Sequence, residues 1–506
     1  MTDSVAAVSF YEYAKVMPNA SPIVASTIFA LSSGAGRAGV AVIRISGPGV
    51  RNVMSLMSAP EVLDRRAGFR RIVHPQTRAL LDQAVVLFFA GHASETGEDV
   101  AEFQVHGGRA VVRAVLDALA TIPDCRMAEP GEFARRAFNN GKLDLVEIEA
   151  LADLVDAETE AQRRLALRSG GVLSTLYDGW RTRLIEVAAL TEAAIDFSDE
   201  GDVAASSFEA ARQRARPLQD EITRHLDDGH RGEILRDGFR VALLGPPNAG
   251  KSSLLNALAR REAAIVSEEA GTTRDVIEVR LDLDGYPVIV SDTAGIRETE
   301  GPVEREGIRR SLAAARDADL TLWLSETGLD SLPESISREM SLLVRTKVDL
   351  DTSPPPLWGR PGGGEPRLSP SGISPTPNPS PQGGGGSPAL PPADAKHRST
   401  MGGGLEVAIS TKTGFGIDAL MQRIAARAAD AIGSETEDPV VAQTRHRLHL
   451  ESAVASLSDF LNGDPDALEL RAEDVRCAAH SLGRITGRVD VEDVLDQIFS
   501  RFCIGK

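Results

Sequence analysis

Apolar positions change their period several times along this chain. Between residues 26 and 140, short apolar runs alternate with Gly-rich turns: Ile28 to Leu31, Gly39 to Ile45, Ala84 to Phe89, and Val100 to Val105. Runs of this length bounded by turns predict strands, and the spacing from Arg109 to Ala120 predicts a helix behind them. From residue 131 to 216 no proline occurs. Leu151, Leu154 and Val155, and later Leu184, Ile185 and Ala188, recur at three- and four-residue spacing, which predicts long helices. Strand-like runs return at Phe239 to Leu244, Val288 to Ser291 and Leu342 to Val344, and a helical pattern resumes from Thr444 to the end.

These changes of period divide the chain into an α+β module at 26–142, a helical stretch at 143–235, an α/β section at 236–433 and a second helical stretch at 434–506. Helices on both sides of the α/β section suggest one helical domain with that section inserted in its middle. Two unrelated bundles are the alternative. Residues 353–404 turn to Pro, Gly and Ser and cannot bury a core, so they are expected to be a disordered insertion within the α/β section. Such a loop costs little closure entropy. Trp358 inside it has no explanation from its neighbours. The segment up to Ala25 is neither an apolar signal core nor an Arg-rich transit peptide, and reads as a frayed extension.

Composition narrows the classes. At 506 residues the chain is too long for one core, and its formal charge of −18 excludes a generally basic nucleic-acid coat. Any RNA contact must come from local patches and should weaken with salt. Cys125, Cys477 and Cys503 lie far apart, with neither metal spacing nor a disulfide framework, which fits a reducing compartment. No apolar run approaches the ~20 residues of a membrane span, so a cytoplasmic protein without a membrane role is expected.

The chemistry centres on Gly245-Pro-Pro-Asn-Ala-Gly-Lys251-Ser252, which follows a predicted strand and opens a predicted helix. This is the phosphate-cradling pattern: backbone N–H groups face the phosphates, Lys251 adds a point charge, and the Ser252 hydroxyl reaches Mg²⁺. Downstream, Asp292-Thr-Ala-Gly295 ends an apolar strand, so that Asp292 can reach the metal shell and the Gly295 N–H the γ-phosphate. Thr273, in Gly271-Thr-Thr-Arg-Asp275, is the second candidate hydroxyl for Mg²⁺. Thr346-Lys347-Val348-Asp349 matches the guanine-reading element of GTPases. The Asp349 carboxylate can accept both N–H groups of guanine's imino and amino edge, for which adenine has no matching donor pair. Thr346 stands where Asn is common, so weaker anchoring of the base loop is expected. Ser410-Thr-Lys-Thr-Gly414 resembles the last GTPase loop. Ile296 occupies the position of the water-orienting Gln of Ras-type enzymes and cannot perform that task. Asn248 either shapes the phosphate loop or places an amide oxygen where a monovalent cation could bind.

Beyond these motifs, the chain resembles the MnmE (TrmE) family of tRNA modification GTPases. The resemblance rests on Gly39-Val-Ala-Val-Ile-Arg44-Ile-Ser-Gly, Thr96-Gly-Glu-Asp-Val-Ala-Glu102, Pro130-Gly-Glu-Phe-Ala-Arg-Arg-Ala-Phe138, Asn140-Gly-Lys142-Leu-Asp-Leu and the tail Phe502-Cys503-Ile-Gly-Lys506. It implies a folate-binding, aminomethyltransferase-like N-terminal module, an all-α domain and an inserted Ras-like P-loop GTPase domain. It further implies a homodimer, tRNA and an FAD-dependent partner, MnmG (GidA). The reaction would place an aminomethyl or carboxymethylaminomethyl group on the wobble uridine, with a tetrahydrofolate derivative as one-carbon donor. A ribosome-assembly GTPase without modification chemistry is the competing reading.

Carried onto this sequence, the resemblance implies that Arg44, Glu102, Lys142 and Lys506 bind folate. K⁺ would be held by Asn248 and Thr272, with main-chain oxygens of Ser267 and Glu269, and Glu304 would orient the attacking water beside the catalytic Lys251. The GTP site would draw Asn248, Ala249, Gly250, Lys251, Ser252 and Ser253 from the first loop, and Ser267, Glu268, Glu269, Ala270, Gly271, Thr272 and Thr273 from the second. Asp292, Thr293, Ala294 and Gly295 complete the phosphate side, with Thr346, Lys347, Asp349, Ser410, Thr411 and Lys412 around the base. Cys503 is expected near the folate site without a catalytic role.

Overall fold

The computed structural model describes residues 26–34, 36–58, 63–197, 201–265, 277–292, 317–327, 337, 340–350, 406–433, 440–489, 495, 498, 499, 502 and 505. Its first elements are β1 (Thr27–Leu31), β2 (Ala38–Ser46), α1 (Val50–Met57), β3 (Gly68–Val73), β4 (Leu80–Phe89), β5 (Val100–Gly107), α2 (Arg109–Ala120), β6 (Cys125–Met127) and α3 (Glu132–Asn139). The six strands form one sheet in the order β3-β4-β5-β2-β1-β6. Alternate residues of the strands point to one face, where Phe29, Ile43, Ile45, Ile72, Val86 and Phe103 bury against Val53 and Met57 of α1 and Val115 and Leu119 of α2. Three of these elements are absent from the periodicity reading. In β3 a glycine and two arginines break the apolar alternation, β6 is only three residues long, and α1 is a helix of eight residues.

The helices α4 (Leu145–Asp156), α5 (Glu160–Asp196), α6 (Gly201–Leu226) and α7 (Arg231–Asp237) come next, and α10 (Thr444–Asn462) and α11 (Leu468–Thr486) follow the α/β section. Helices from both sides share one core. Leu173, Tyr177, Trp180 and Leu184 of α5 and Leu218 and Ile222 of α6 pack with Leu450, Leu457 and Phe460 of α10 and Val475 and Leu482 of α11. The proline-free run ends at Arg216, yet α6 continues through Pro217 to Leu226. Leu218 and Ile222 are fully buried beyond the proline, and their packing outweighs the lost hydrogen bond.

Between these helical stretches lie β7 (Phe239–Leu244), α8 (Lys251–Ala259), β8 (Ala264–Ile265), β9 (Ile277–Leu283), β10 (Tyr286–Asp292), β11 (Leu320–Ser325), β12 (Ser341–Arg345), β13 (Glu406–Ala408) and α9 (Ile417–Ile432). Their sheet runs β13-β12-β11-β7-β10-β9-β8, with β7 parallel to both β10 and β11. Strand order reverses about β7, so the loop after it opens at the switch point where α/β sheets bind ligands.

Both chain crossings of this section are fastened to α4. Arg236 Nε donates to Asp153 Oδ1 at 2.8 Å just before β7, and Gln443 Nε2 donates to Asp153 Oδ2 at 2.9 Å just before α10. One turn earlier on α4, Glu149 accepts from Arg445 at 2.8 and 2.9 Å and pairs with His446 at 2.7 Å. The expected insertion at 353–404 and the leader up to residue 25 lie outside the described residues.

Candidate functional site

Strand β7 delivers the chain to Gly245, whose φ of +147° and surroundings both require glycine. A Cβ there would lie 2.3 Å from the Leu324 carbonyl oxygen on the neighbouring strand β11. The loop turns through Asn248, left-handed at φ +62°, and Gly250 at φ +96° before α8 begins at Lys251. Four N–H groups at a helix start have no intrahelical partner, which makes this end of α8 an anion cradle. Lys251 Nζ lies over the loop, donating to the carbonyl oxygens of Gly245 at 3.0 Å and Pro246 at 3.1 Å. Ser252 Oγ donates to Asp292 Oδ2 at 2.8 Å, so β10 and α8 bring a hydroxyl and a carboxylate together beside the loop. Two hard oxygen donors in that position suit Mg²⁺. Ala249 is buried beneath the loop, and Ser253 is exposed on the first turn of α8.

The base-reading residues come from the ends of β12 and β13, which pair in parallel. Ile409 N–H donates to the Arg345 carbonyl at 2.7 Å, and this ties the two loops. Asp349 is held by Ser410, whose Oγ donates to its Oδ1 at 2.7 Å. Thr346 is buried beside the phosphate loop, its Cβ 4.0 Å from where a Gly250 Cβ would stand. Its N–H donates to the Ser325 carbonyl at 2.9 Å, while its Oγ1 has no hydrogen-bond partner among the described residues. Lys347 is left-handed at φ +59° and pairs with Glu326. Thr411 and Lys412 lie in the turn that Ser410 closes by accepting from Gly414 N–H at 2.9 Å. Ser267, Glu268, Glu269, Ala270, Gly271, Thr272, Thr273, Thr293, Ala294, Gly295 and Glu304 lie outside the described residues, as does Ile296.

A second cluster sits on the N-terminal sheet, on the face turned away from its core. Arg44 of β2 and Glu102 of β5 are register partners, and Arg44 Nη2 lies 3.1 Å from Glu102 Oε1. Arg44 Nη1 also pairs with Glu95 Oε2 at 3.0 Å. Lys142 Nζ donates to the His92 carbonyl at 3.0 Å, so the loop between β4 and β5 touches both cations. That loop is braced from α3: Arg136 Nη1 donates to Glu98 Oε2 at 3.0 Å, and Asn140 Nδ2 donates to the Thr96 carbonyl at 2.7 Å. Sequence reasoning named Arg44, Glu102 and Lys142 and missed Glu95, Glu98, Arg136 and Asn140. The signal for the last three lay in the Thr96-Gly-Glu-Asp, Pro130-Gly-Glu-Phe and Asn140-Gly-Lys142 motifs, where charged and polar side chains flank tight turns. Lys506 and Cys503 lie outside the described residues. Gly505, beside Lys506, accepts from Ser32 Oγ at 2.8 Å, and a Cβ on it would lie 2.2 Å from the Leu31 carbonyl oxygen.

A family model described as the MnmE helical domain matches residues 145–503, a span that includes the inserted α/β section. The chain belongs to the MnmE family. The model of the TrmE N-terminus, described as a GTP-binding protein, matches residues 27–142, the sheet that carries Arg44 and Glu102. A tRNA modification GTPase MnmE of Parvibaculum lavamentivorans is 48% identical over 487 residues, which is 95% of this chain and 100% of that relative. MnmE proteins of Rhodopseudomonas palustris (strain BisB5) and a Chelativorans species are 48% and 45% identical, over 95% and 97% of this chain and 99% and 100% of their own. Among solved structures, the G domain of the T. maritima FeoB iron transporter matches 37% of this chain and 98% of its own, at 21% identity and a TM-score of 0.21, too low to argue from. No described helix of this MnmE-family chain is long and apolar enough to cross a membrane.

Proposed function

We propose that this protein hydrolyses GTP at the loop between β7 and α8 and so drives a complex that modifies the wobble uridine of certain tRNAs at carbon 5. The observation that carries the nucleotide reading is the meeting of Ser252 and Asp292 at 2.8 Å, at the N-terminus of α8. Asp349, oriented by Ser410, supplies guanine selection near the same end of the sheet. Ser252 and Thr273 would hold Mg²⁺, which neutralises charge on the outer phosphates when bound. Asn248 and Thr272, with main-chain oxygens of Ser267 and Glu269, would hold K⁺. Lys251 binds the outer phosphates by leaving the Gly245 and Pro246 carbonyls, and Glu304 orients the attacking water that Ile296 cannot.

The cluster on the N-terminal sheet is the proposed folate site. The Glu102 carboxylate suits paired N–H donors of a pterin, and Arg44, Lys142 and Lys506 suit the folate's carboxylates. A tetrahydrofolate derivative bound there supplies the one-carbon unit of an aminomethyl or carboxymethylaminomethyl group. Arg44 and Glu102 hold each other until such a ligand competes for them. The protein would act as a homodimer with an FAD-dependent MnmG partner in the cytoplasm.

Nucleoside analysis of tRNA from cells lacking this protein tests the reading. Loss of the wobble modification is expected; normal wobble uridines would overturn it and leave a ribosome-assembly GTPase as the better account. GTP hydrolysis should run faster in K⁺ than in Na⁺, and equal rates would remove the cation role of Asn248. Tetrahydrofolate binding, measured by calorimetry, should be lost in Arg44→Ala.

A further inference from the structure

The chain is strongly acidic, yet one element of it is the reverse. Between Arg65 and Leu81 there are five arginines (Arg65, Arg66, Arg70, Arg71 and Arg78), one histidine, no lysine and no carboxylate. This stretch runs through β3 and the turns on either side of it, and among the described residues β3 is an edge of the N-terminal sheet, paired only with β4. Arg65, Arg66, Arg71 and Arg78 are exposed, and among the described residues none of the four is ion-paired. Arg65 Nη2 donates to the Ala93 carbonyl at 2.6 Å and Arg78 Nη1 to the Leu56 carbonyl, contacts that orient a guanidinium without cancelling its charge. Phe69, in the middle of the strand, is 67% exposed.

Charge on an edge strand commonly serves to block sheet-to-sheet aggregation, and lysine is the usual device. Two features here go beyond that role. Every cation is arginine, whose planar fork matches phosphate oxygens, and a large aromatic ring is displayed among them, which protection against aggregation would avoid. The register gives the patch a direction. Phe69 pairs with Val85, Val85 with Gln104, and Gln104 with Val42, so all four side chains share one sheet face. Arg71 lies two residues beyond Phe69 and Arg44 two beyond Val42, on that same face. At roughly 4.8 Å per strand, the arginine edge and Arg44 stand about 15 Å apart across the sheet, with Glu102 one strand nearer.

We infer that the β3 edge is an RNA-binding surface: arginines from 65 to 78 hold the phosphate backbone while Phe69 stacks on an unpaired base. A strand held there lays its nucleotides across the sheet toward Arg44 and Glu102. The inference rests on the tRNA reading above and adds where the RNA lies.

The test is fluorescence anisotropy of a labelled tRNA transcript with the full-length protein, at several salt concentrations. Arg66→Ala/Arg71→Ala should weaken binding about tenfold at 0.1 M salt and reduce the salt dependence by roughly 0.7 for each arginine removed, the single-strand value. Phe69→Ala should weaken binding several-fold with the salt dependence unchanged. GTP hydrolysis by the free protein should match the wild type in both variants, which shows that each is folded. Unchanged affinity and salt dependence in the double variant would overturn the inference, as would a wild-type chain that binds no tRNA. Binding loss accompanied by a changed oligomeric state in light scattering would also overturn it, because the edge would then be a contact between copies. Nucleoside analysis judges the tRNA reading separately, so the two can fail independently.

Discussion

At the scale of single residues, the nucleotide loop is the part whose chemistry is backbone geometry. Gly245 meets a neighbouring carbonyl at a distance no side chain tolerates, and its φ lies where only glycine is comfortable. Gly245→Ala should therefore lower stability by about 2–4 kcal/mol and abolish GTP binding, measured by thermal unfolding and nucleotide titration. Asp349 tests base selection. An Asn at that position offers one donor and one acceptor, which match xanthine better than guanine. Asp349→Asn should raise the Kd for GTP by roughly tenfold or more, about 1.4 kcal/mol per tenfold, and favour xanthosine triphosphate. Equal affinities of both proteins for GTP would contradict the assigned role. Both residues were legible in the sequence, because a phosphate loop and a guanine-reading loop are contiguous stretches. Glu98 and Arg136 were not legible as a pair, because what joins them is a contact between a loop and α3.

At the scale of elements, α4 is a short helix that carries a buried carboxylate, Glu149, and a half-buried one, Asp153, on one face. Its N-terminus is fixed by a capping box in which Asp144 accepts from Glu147 N–H at 2.8 Å. Asp144→Ala should cost about 1 kcal/mol or more, since the side chain also accepts from Ser174. Glu149 is buried, which opposes its ionisation. His446 and Arg445 outweigh that cost and hold its pKa at about 2, below the ordinary 4.5. The sign follows from linkage. A carboxylate whose folded pKa is depressed contributes stability in full above about pH 4.5 and loses it as the pH falls toward about 2. The contribution is on the order of 3 kcal/mol. Glu149→Gln should flatten the acid-unfolding curve in that window when followed by circular dichroism. A curve parallel to the wild type would show that Glu149 is not the group responsible.

At the scale of the whole molecule, the central fact is that the GTPase section leaves and re-enters the helical core beside one carboxylate. Asp153 accepts Arg236 from the end of α7 at the outgoing crossing and Gln443, just ahead of α10, at the returning one. Asp153→Ala should release both crossings together, and hydrogen exchange should rise around 236–238 and 441–443. Nucleotide affinity should not change, because Asp153 is remote in sequence and in contacts from the phosphate loop. Faster exchange at only one crossing would mean that the two are held independently.

Much of this organisation was legible beforehand for a physical reason. Periodicity reports which face of an element is buried, so β1, β2, β4 and β5 of the first sheet, the long helices and the nucleotide motifs could be read as local patterns. The strand β3 escaped because its two arginines and its glycine hide an edge that is only half buried. Sequence alone determined the chemistry of the phosphate and base loops, since those functions reside in contiguous backbone and a few adjacent side chains. The tertiary structure decided the rest: that helices from both sides of the α/β section share a core, that Asp153 fastens both crossings, and that Arg44, Glu102, Phe69 and Arg71 share one sheet face. Each of these depends on residues far apart in the chain meeting through packing and register, and no local pattern encodes such a meeting.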